Sequence, residues 1–338
     1  MVTRSLRVLS PGVLTTVQDS GRRDVARFGV SPAGWCDWYS AAAANLLVGN
    51  GGDAAVLETM LTGARFELHG AVSMAVTGAH AALLIDGVSA SRWRAHDAGA
   101  GSVVEIAPAQ RGARSYLAID GGVQVPLVMG SASTDTGAGF GGYQGRPLRS
   151  GDVLTLHEAG AKSGSAAQRE SATVSTLEYP HDAIPAWGPD VILRVLPGPH
   201  ASAIPEQAWQ ALLGQTFGVS SRSTRQGLQL EGTPLTLEGR TDVISAGAFA
   251  GCVQITNAGA PVLLLAEHQT TGGYATVACI ISADVPLAGQ ARPGDRLRFE
   301  RVTRIEAARA HVQRRAALHS LRPAGAGSGL SRGFHEGV

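Results

Sequence analysis

Short apolar runs separated by glycine and proline recur along most of the chain, and they limit the fold to one built from many short strands. The 338-residue sequence contains 44 glycines and 16 prolines, scattered rather than periodic, which is typical of tight turns between strands. An apolar content of 44% is enough to fill buried cores. The sequence therefore predicts a mainly β protein of roughly two domains.

The predicted strands fall into two groups. In the first half of the chain they lie at Leu6–Leu9, Ala55–Met60, Arg65–His69, Val72–Thr77, Ala82–Ile85, Val103–Ile106, Ser115–Ile119 and Val153–His157. In the second half they lie at Val191–Leu196, Leu228–Leu230, Leu235–Leu237, Val253–Ile255, Val262–Leu265, Ala275–Ile281 and Arg296–Glu300. Two β-rich lobes therefore follow one another along the chain.

A few short helices are predicted beside the strands. Asp37 is a suitable N-cap for a helix over Trp38–Val48, and further helices are predicted over Pro205–Leu213 and Glu306–Leu321. Between the lobes the chain loses periodicity and collects Gly, Ser, Ala and Pro, as a linker does. The predicted organisation is an N-terminal lobe at 1–158, a connector at 159–190, a C-terminal lobe at 191–303, a helix at 304–321 and a disordered tail at 322–338.

Charge and cysteine usage limit the partners and the compartment. A formal net charge of +1 gives no general basic field, so neither nucleic acid nor a membrane surface is an expected partner. The three cysteines, Cys36, Cys252 and Cys279, are odd in number and far apart, which favours free thiols. The opening Met1–Ser10 lacks the apolar core of a secretory signal. We expect a cytoplasmic protein.

Lysine usage excludes several chemistries at once, because Lys162 is the only lysine in the chain and lies in a Gly/Ser/Ala-rich stretch. A P-loop, a pyridoxal enzyme and a biotin carrier each require a lysine in a defined context. If ATP or biotin takes part, a separate chain must carry the biotin or supply the nucleotide-binding lysine. The ten histidines show no metal-ligand spacing, so no metal site is predicted.

A dense polar segment lies between two apolar runs in the second half of the chain. Glu267–Tyr274 reads Glu-His-Gln-Thr-Thr-Gly-Gly-Tyr and is flanked by Pro261–Ala266 and Ala275–Ile281. If the segment is a hairpin turn, glycine alone would satisfy its geometry. The surplus of polar side chains indicates a binding surface, with a hairpin whose side chains cap exposed backbone groups as the alternative.

A similar polar segment lies near the N-terminus. Pro11–Arg22 also combines Gln, a Thr-Thr pair, an acid and Gly. The two segments could belong to two related lobes or meet in one cleft.

Five ordered segments carry a resemblance to a known family: Pro11–Arg22, Ala44–Asn50, Gly130–Asp135, Gly139–Gly142 and Gln269–Tyr274. Together they resemble the biotin-dependent carboxyltransferase family, over roughly residues 6–303. That family includes the C subunit of 5-oxoprolinase, the allophanate hydrolase subunit 2 type, the carboxyltransferase part of urea carboxylase, and an antagonist of a sporulation kinase inhibitor. A chain of this length favours the 5-oxoprolinase type.

The resemblance implies two cyclophilin-like β-barrel lobes and a hetero-oligomer with the A and B subunits of a 5-oxoprolinase, or with proteins like them. The implied reaction is the ATP-dependent conversion of 5-oxoproline to glutamate, with ATP bound in the complex on this or another chain. One alternative is a biotin-dependent carboxyltransferase acting on urea or another amide, with carboxybiotin delivered from outside because this chain does not carry biotin. Another alternative is a non-catalytic regulator that binds a kinase-inhibitor-like partner.

The candidate site residues come from the loops of these segments. A site that opens a lactam or transfers a carboxyl group must bind a carboxylate and polarise a carbonyl. For proton transfer we expect Asp19, Asp135 and Glu267, although Asp19 could instead cap a turn. The expected substrate-binding residues are Gln18, Gly21, Arg22, Arg146, Arg225, Gln269, Thr270, Gly272 and Tyr274. Each arginine could equally bridge the lobes or face solvent.

Several positions depart from the pattern of the family. Ala132 stands where the family usually has Arg, and Thr224 and Gln229 replace an Asp and an Arg. Glu267 stands where an Asp is common. We therefore expect that the substrate could differ from that of typical members.

Overall fold

The structure, a computed structural model, describes residues 4–159, 177–235 and 242–323. Four sequence predictions fall wholly or partly outside these residues. They are the position of Lys162, most of the 159–190 connector, the end of the Leu235–Leu237 strand and the tail beyond residue 323. The predicted domain boundaries remain predictions.

The N-terminal lobe consists of two antiparallel sheets. Its strands are β1 Ser5–Ser10, β2 Leu14–Gln18, β3 Val56–Met60, β4 Ala64–His69, β5 Val72–His80, β6 Leu83–Ile85, β7 Val88–Ala90, β8 Ala95–Ala98, β9 Val103–Ile106, β10 Arg111–Ile119 and β11 Val153–Thr155. One sheet has the order β11-β1-β4-β9-β6-β7 and the other the order β2-β3-β10-β5-β8. A single buried core, with Phe66 from the first sheet and Leu117 from the second, joins them.

Helix α1, Trp38–Leu47, packs against the second sheet and begins where the sequence predicts. Its N-cap is Asp37, whose Oδ1 accepts a hydrogen bond from Ser40 N at 2.9 Å. Ala41, Ala43 and Ala44 are fully buried, because small side chains let the helix approach the sheet closely. The N-cap prediction is confirmed.

The C-terminal lobe is organised around a closed barrel. Its strands, with two short flanking ones, are β12 Leu177–Glu178, β13 Asp190–Pro197, β14 Phe217–Val219, β15 Gly227–Glu231, β16 Asp242–Gly247, β17 Cys252–Ile255, β18 Pro261–Leu264, β19 Thr271–Ile280, β20 Arg296–Arg301 and β21 Arg322–Pro323. The order is β13-β20-β14-β15-β18-β17-β19, and β13 pairs again with β19 to close the ring. The mainly β prediction is confirmed.

Three further helices accompany this lobe among the described residues: α2 Glu206–Gly214, α3 Val285–Gln290 and α4 Arg304–Leu318. Helix α4 begins at a capping box in which Thr303 Oγ1 accepts from Glu306 N at 3.2 Å and the Glu306 carboxylate accepts from Thr303 N at 2.7 Å. None of the helices in the described ranges is long and apolar enough to cross a membrane.

The hairpin considered for Glu267–Tyr274 is not formed. Strand β17 lies between β18 and β19, so the chain crosses over β17 instead of turning back beside β18. Gly272 and Gly273 lie inside β19, and neither has a positive φ. The polar side chains of residues 267–270 therefore lie in a crossover connection, which turns them toward the N-terminal lobe.

Candidate functional site

A buried network of charged groups joins the two lobes, and Arg225 lies at its centre with 3% of its surface exposed. Its Nε donates to Glu267 Oε1 at 2.7 Å, and its Nη2 donates to the carbonyl oxygen of Gly34 at 2.6 Å. Its Nη1 donates to Oε1 of Glu58, which belongs to β3 of the N-terminal lobe. One arginine therefore holds carboxylates from both lobes, and we call this set the lobe-interface network.

Glu58 completes its contacts within the N-terminal lobe. Its Oε2 accepts from Tyr116 OH at 2.8 Å and from Cys36 N at 3.1 Å, and Arg114 Nε lies 3.5 Å from its Oε1. Burial raises the pKa of the Tyr116 hydroxyl well above its usual value. Burial alone would lower the pKa of Arg225, but the neighbouring Cys36, Glu58 and Glu267 raise it. Arg225 is therefore permanently charged.

A cleft of about 400 Å³ opens beside this network, between the lobes. We call it the inter-lobe cleft. It is lined by Gly29, Val30, Ser31, Asp135, Gly137, Ala138, Phe140, Gln226, Glu267, His268, Gln269, Thr270 and Thr271. The volume is suitable for a small polar molecule.

Asp135 contributes a carboxylate to the inter-lobe cleft from a glycine-rich loop. The loop is closed by Asp135 N donating to the carbonyl oxygen of Phe140 at 2.9 Å. Ala138 N donates to Asp135 Oδ1 at 2.9 Å. The described residues place no hydrogen-bond donor on Asp135 Oδ2, although the residue is only 4% exposed. This oxygen is available to a ligand.

His268 brings a neutral imidazole to the same cleft. Its Nδ1 lies 2.7 Å from the carbonyl oxygen of Gln269. A carbonyl can only accept, so Nδ1 carries the proton and Nε2 keeps its lone pair. Burial lowers the pKa of the ring, opposed in part by the Gln269 carbonyl. His268 was not among the predicted catalytic residues, and its position in the cleft is what identifies it.

Glu267 differs from Asp135 because both of its carboxylate oxygens are engaged. Arg225 donates to Oε1, and the hydroxyl of Thr136 donates to Oε2. Thr136 belongs to the same loop as Asp135, so Glu267 fixes this loop to the C-terminal lobe. The geometry makes Glu267 a fixed carboxylate at the base of the cleft.

Asp19 accepts four hydrogen bonds and lies outside the lining of the inter-lobe cleft. Its Oδ1 accepts from Ser131 Oγ at 2.5 Å, Ser133 Oγ at 2.6 Å and Gly21 N at 2.9 Å, and its Oδ2 accepts from Ala132 N at 2.6 Å. Asp19 and Ala132 instead line a separate pocket of about 310 Å³ in the N-terminal lobe. The turn-capping alternative matches this geometry, and the departure at Ala132 lies in that pocket.

Arg22 connects the Asp19 segment to the inter-lobe cleft. Its Nη2 donates to the carbonyl oxygen of Ser133 at 2.5 Å, and its guanidinium lies 4.5 Å from the ring centroid of Phe140. Its Nε and Nη1 are buried without a described partner. Burial lowers the pKa of Arg22, and the charges of Asp135, Asp19 and Glu267 oppose that effect. Arg22 is thus the part of the Pro11–Arg22 segment that approaches the inter-lobe cleft, and no residue of that segment is in the cleft lining.

The structure gathers some of the predicted site residues and separates others. Asp135, Glu267, Gln269 and Thr270 line the inter-lobe cleft, and Arg22 lies behind Phe140. The other predicted residues lie elsewhere. Arg146 pairs with both oxygens of Asp152 at 2.8 and 2.9 Å, and Arg225 is held in the lobe-interface network. Gln18 is fully buried, Gly21 N donates to Asp19, and Gly272 and Tyr274 lie in β19. Their predicted substrate-binding roles remain predictions.

Sequence reasoning missed Glu58 and Arg114 of the lobe-interface network. Glu58 is the one charged residue of β3, and Arg114 lies in β10 close to the apolar run that ends the strand. Charged side chains are rarely fully buried unless they are paired, so this placement was a usable signal of an interior ion pair. Gln226 gave no comparable signal, because it follows Arg225 in a loop and reaches the cleft only through the barrel fold.

Two β-rich lobes with a polar cleft between them define a small-molecule site at a lobe interface. The family described as "Carboxyltransferase domain, subdomain A and B" matches residues 28–301. The chain belongs to this family. Within the described ranges, no group of three or more His, Cys, Asp or Glu residues is arranged to hold a metal ion.

The chain is similar to a 5-oxoprolinase subunit and to urea amidolyases. It is 35% identical to the C subunit of 5-oxoprolinase from Escherichia coli (strain K12) over 317 residues, covering 94% of this chain and 97% of the relative. It is 30% identical to "Urea amidolyase" of Lachancea kluyveri, covering 94% of this chain but only 18% of the relative. The solved structure of the Kluyveromyces lactis urea amidolyase matches with a TM-score of 0.86 at 26% identity, covering 94% of this chain and 20% of that protein.

Proposed function

We propose that the chain is the C subunit of an ATP-dependent 5-oxoprolinase, which converts 5-oxoproline to glutamate together with A and B subunits. The observation that carries the proposal is the inter-lobe cleft, which holds two proton acceptors beside amide and hydroxyl groups. Its support from relatives is the 35% identity to the C subunit of a 5-oxoprolinase, a protein of nearly the same length. Hydrolysis of a lactam adds one water across the ring C–N bond.

The cleft offers a direct way to handle the protons of that reaction. Asp135 Oδ2 and His268 Nε2 are a carboxylate oxygen and an imidazole nitrogen in the cleft lining, and the described residues place no hydrogen-bond donor on either atom. One of them takes a proton from the attacking water, and a general base of this kind contributes about 10²–10⁴-fold to a rate. Gln226, Gln269 and Thr270 line the same cleft and supply donors for the substrate carbonyl and carboxylate.

The cleft does not fit a nucleotide triphosphate. Its lining includes the carboxylates of Asp135 and Glu267 but no arginine or lysine, whereas phosphate groups are bound by cations and backbone donors. Arg22 is the nearby cation, and Phe140 covers it. We therefore propose that ATP binds outside this cleft, and no step of the proposed chemistry in the cleft passes through it.

Transfer of a carboxyl group to urea or another amide is the second candidate. It is favoured by the name of the family and by the likeness to a urea amidolyase over 94% of this chain. Carboxybiotin would have to come from another chain, because Lys162 is the only lysine. Both candidates need a cleft that binds an amide, and they differ in whether water or a carboxyl group reaches it.

Reconstitution separates the candidates. The chain is assembled with its presumed A and B subunits, and glutamate release from 5-oxoproline is measured with ATP, omitting each component in turn. We expect activity that requires this chain. An assembled complex that is inactive on 5-oxoproline but consumes carboxybiotin in the presence of urea would overturn the first candidate. A complex whose activity is unchanged without this chain would support the non-catalytic regulator.

A further inference from the structure

A third cavity lies between the N-terminal lobe and the segment 181–187, and its lining carries basic side chains without matching acids. Its volume is about 730 Å³, and we call it the basic groove. Four of its twelve lining residues are basic: His80, Arg92, Arg111 and His181. None of the twelve carries a carboxylate. A cavity lined by one sign of charge attracts ligands of the opposite sign, and this one is separate from the inter-lobe cleft.

Arg92 is held in place at the wall of the basic groove with part of its guanidinium unused. Its Nη1 donates to the carbonyl oxygens of Gly78 at 3.2 Å and Ala79 at 2.6 Å. The described part of the chain gives its Nε and Nη2 no partner, and gives Arg92 no ion pair. Burial lowers the pKa of Arg92, with no neighbouring carboxylate to offset it. The free edge of the guanidinium is therefore available to an anion.

A β-bulge brings a second arginine to the same groove. The pairing of β5 with β10 shifts register between Arg111 and Ser115, and Arg111 lies directly opposite His80. Bulges re-aim side chains and are common beside binding sites. Gly78 sits at the shift with φ +87°, and a Cβ there would overlap the carbonyl oxygen of Arg114. The register shift therefore requires a glycine at position 78, at the end of the sheet that borders the groove.

Two tryptophans, Trp93 and Trp187, also line the basic groove. Trp187 Nε1 donates to the Gly78 carbonyl oxygen at 2.9 Å, which fixes its indole at the groove wall. Trp93 also lines the groove, is 2% exposed, and has a buried Nε1 without a described partner. Its φ of 59° is an outlier for a bulky residue, and backbone strain of this kind is concentrated at functional sites. Planar walls next to cations suit a planar, negatively charged ligand.

We propose that the basic groove binds a phosphate ester that carries a planar ring, which is the chemistry of a nucleotide. Arg92 and Arg111 bind the phosphates, and Trp187 stacks on the ring. The groove volume of about 730 Å³ lies within the range of about 300–1,000 Å³ found for small-molecule pockets. The proposal does not depend on the reaction in the inter-lobe cleft, because binding is measured on this chain alone.

Isothermal titration calorimetry with ATP, pyrophosphate and adenosine tests the proposal on the full chain. We expect saturable ATP binding that is at least tenfold tighter than binding of pyrophosphate or of adenosine. The variant Arg111→Gln, at an exposed position, should weaken both ATP and pyrophosphate at least tenfold. Trp187→Leu should weaken ATP while leaving pyrophosphate unchanged. Arg7→Gln, at an exposed position on β1, makes the same charge change elsewhere and should leave all three ligands unaffected.

Three results would overturn the proposal. The first is the absence of saturable ATP binding to the wild-type chain. The second is equal weakening by Arg111→Gln and Arg7→Gln, which would reduce the effect to net charge. The third is pyrophosphate binding as tight as ATP binding, which would show that the planar ring contributes nothing to affinity. Circular dichroism of each variant confirms that the fold is retained before binding is compared.

Discussion

Removing Arg225 from the lobe-interface network should destabilise the protein strongly. In Arg225→Met the methionine fills a similar space but makes none of the three hydrogen bonds to Glu267, Glu58 and the Gly34 carbonyl. Glu58 keeps Tyr116 and the Cys36 amide, so the main loss is at Glu267. Breaking a buried pair by removing one partner costs about 3–5 kcal/mol, and we expect the free energy of unfolding to fall by that amount.

A second variant distinguishes the cost of leaving the Glu267 carboxylate unpaired from the cost of the lost packing of Arg225. In Arg225→Met/Glu267→Gln the uncompensated carboxylate is replaced by a neutral amide that can still bond to Thr136. We expect this double variant to recover about 1–2 kcal/mol, since an unpaired buried charge costs more than an unpaired neutral group. Urea unfolding followed by tryptophan fluorescence gives both values.

The matched control for these variants is Arg298→Met, an exposed arginine on β20, which should change stability by less than about 0.5 kcal/mol. A loss below about 1 kcal/mol in Arg225→Met would refute the reasoning. A double variant that is no more stable than the single variant would refute the share of the destabilisation that we attribute to the unpaired Glu267 carboxylate.

Three further predictions address the cleft and helix α4. Burial lowers the pKa of His268 below its usual value of about 6.5, so the unfolded state binds more protons and stability falls as pH drops below that value. The melting temperature of the wild type should therefore fall more between about pH 7.5 and pH 5 than that of His268→Gln, and parallel curves would contradict this. Thr303→Ala removes the N-cap of α4 and should cost about 1 kcal/mol in urea unfolding, whereas Ser91→Ala at an exposed position should be neutral. Gly141→Ala places a Cβ against the Arg22 guanidinium at φ +72°, so it should lower both stability and activity. Gly29→Ala has open space around its Cβ, so it should lose only the stability that backbone strain costs.

Much of the secondary structure could be predicted because its signals are local. The Asp37 N-cap, the helix predicted over Pro205–Leu213 and the strand at Val72–Thr77 each depend on neighbouring residues, and each is found close to its predicted place. Several short strands, such as β14 and β16, were missed. Short strands carry little periodicity, and their existence depends on partners far away in the sequence.

The pairing of segments that are distant in the chain could not be predicted from local sequence patterns. The crossover from β18 to β19 depends on β17 inserting between them, and no local pattern encodes that order. Arg225 was predicted to bind substrate because it lies in a polar loop, but its donors are taken up by Glu58 and Glu267. The choice between a free and a paired arginine depends on a strand more than one hundred residues away. The strand pattern predicted two consecutive β-rich lobes, and the resemblance to the family added the expectation that they are barrels.

The central claim is that the inter-lobe cleft carries out the chemistry, and Asp135→Asn tests it most directly. Asparagine keeps the Oδ1 acceptor for Ala138 N and so preserves the loop, but it removes the free carboxylate oxygen. In a complex with verified assembly, we expect kcat for glutamate release from 5-oxoproline to fall by about 10²-fold or more, while Asp97→Asn at an exposed position on β8 has no effect. Equal activity of the two variants would contradict the account.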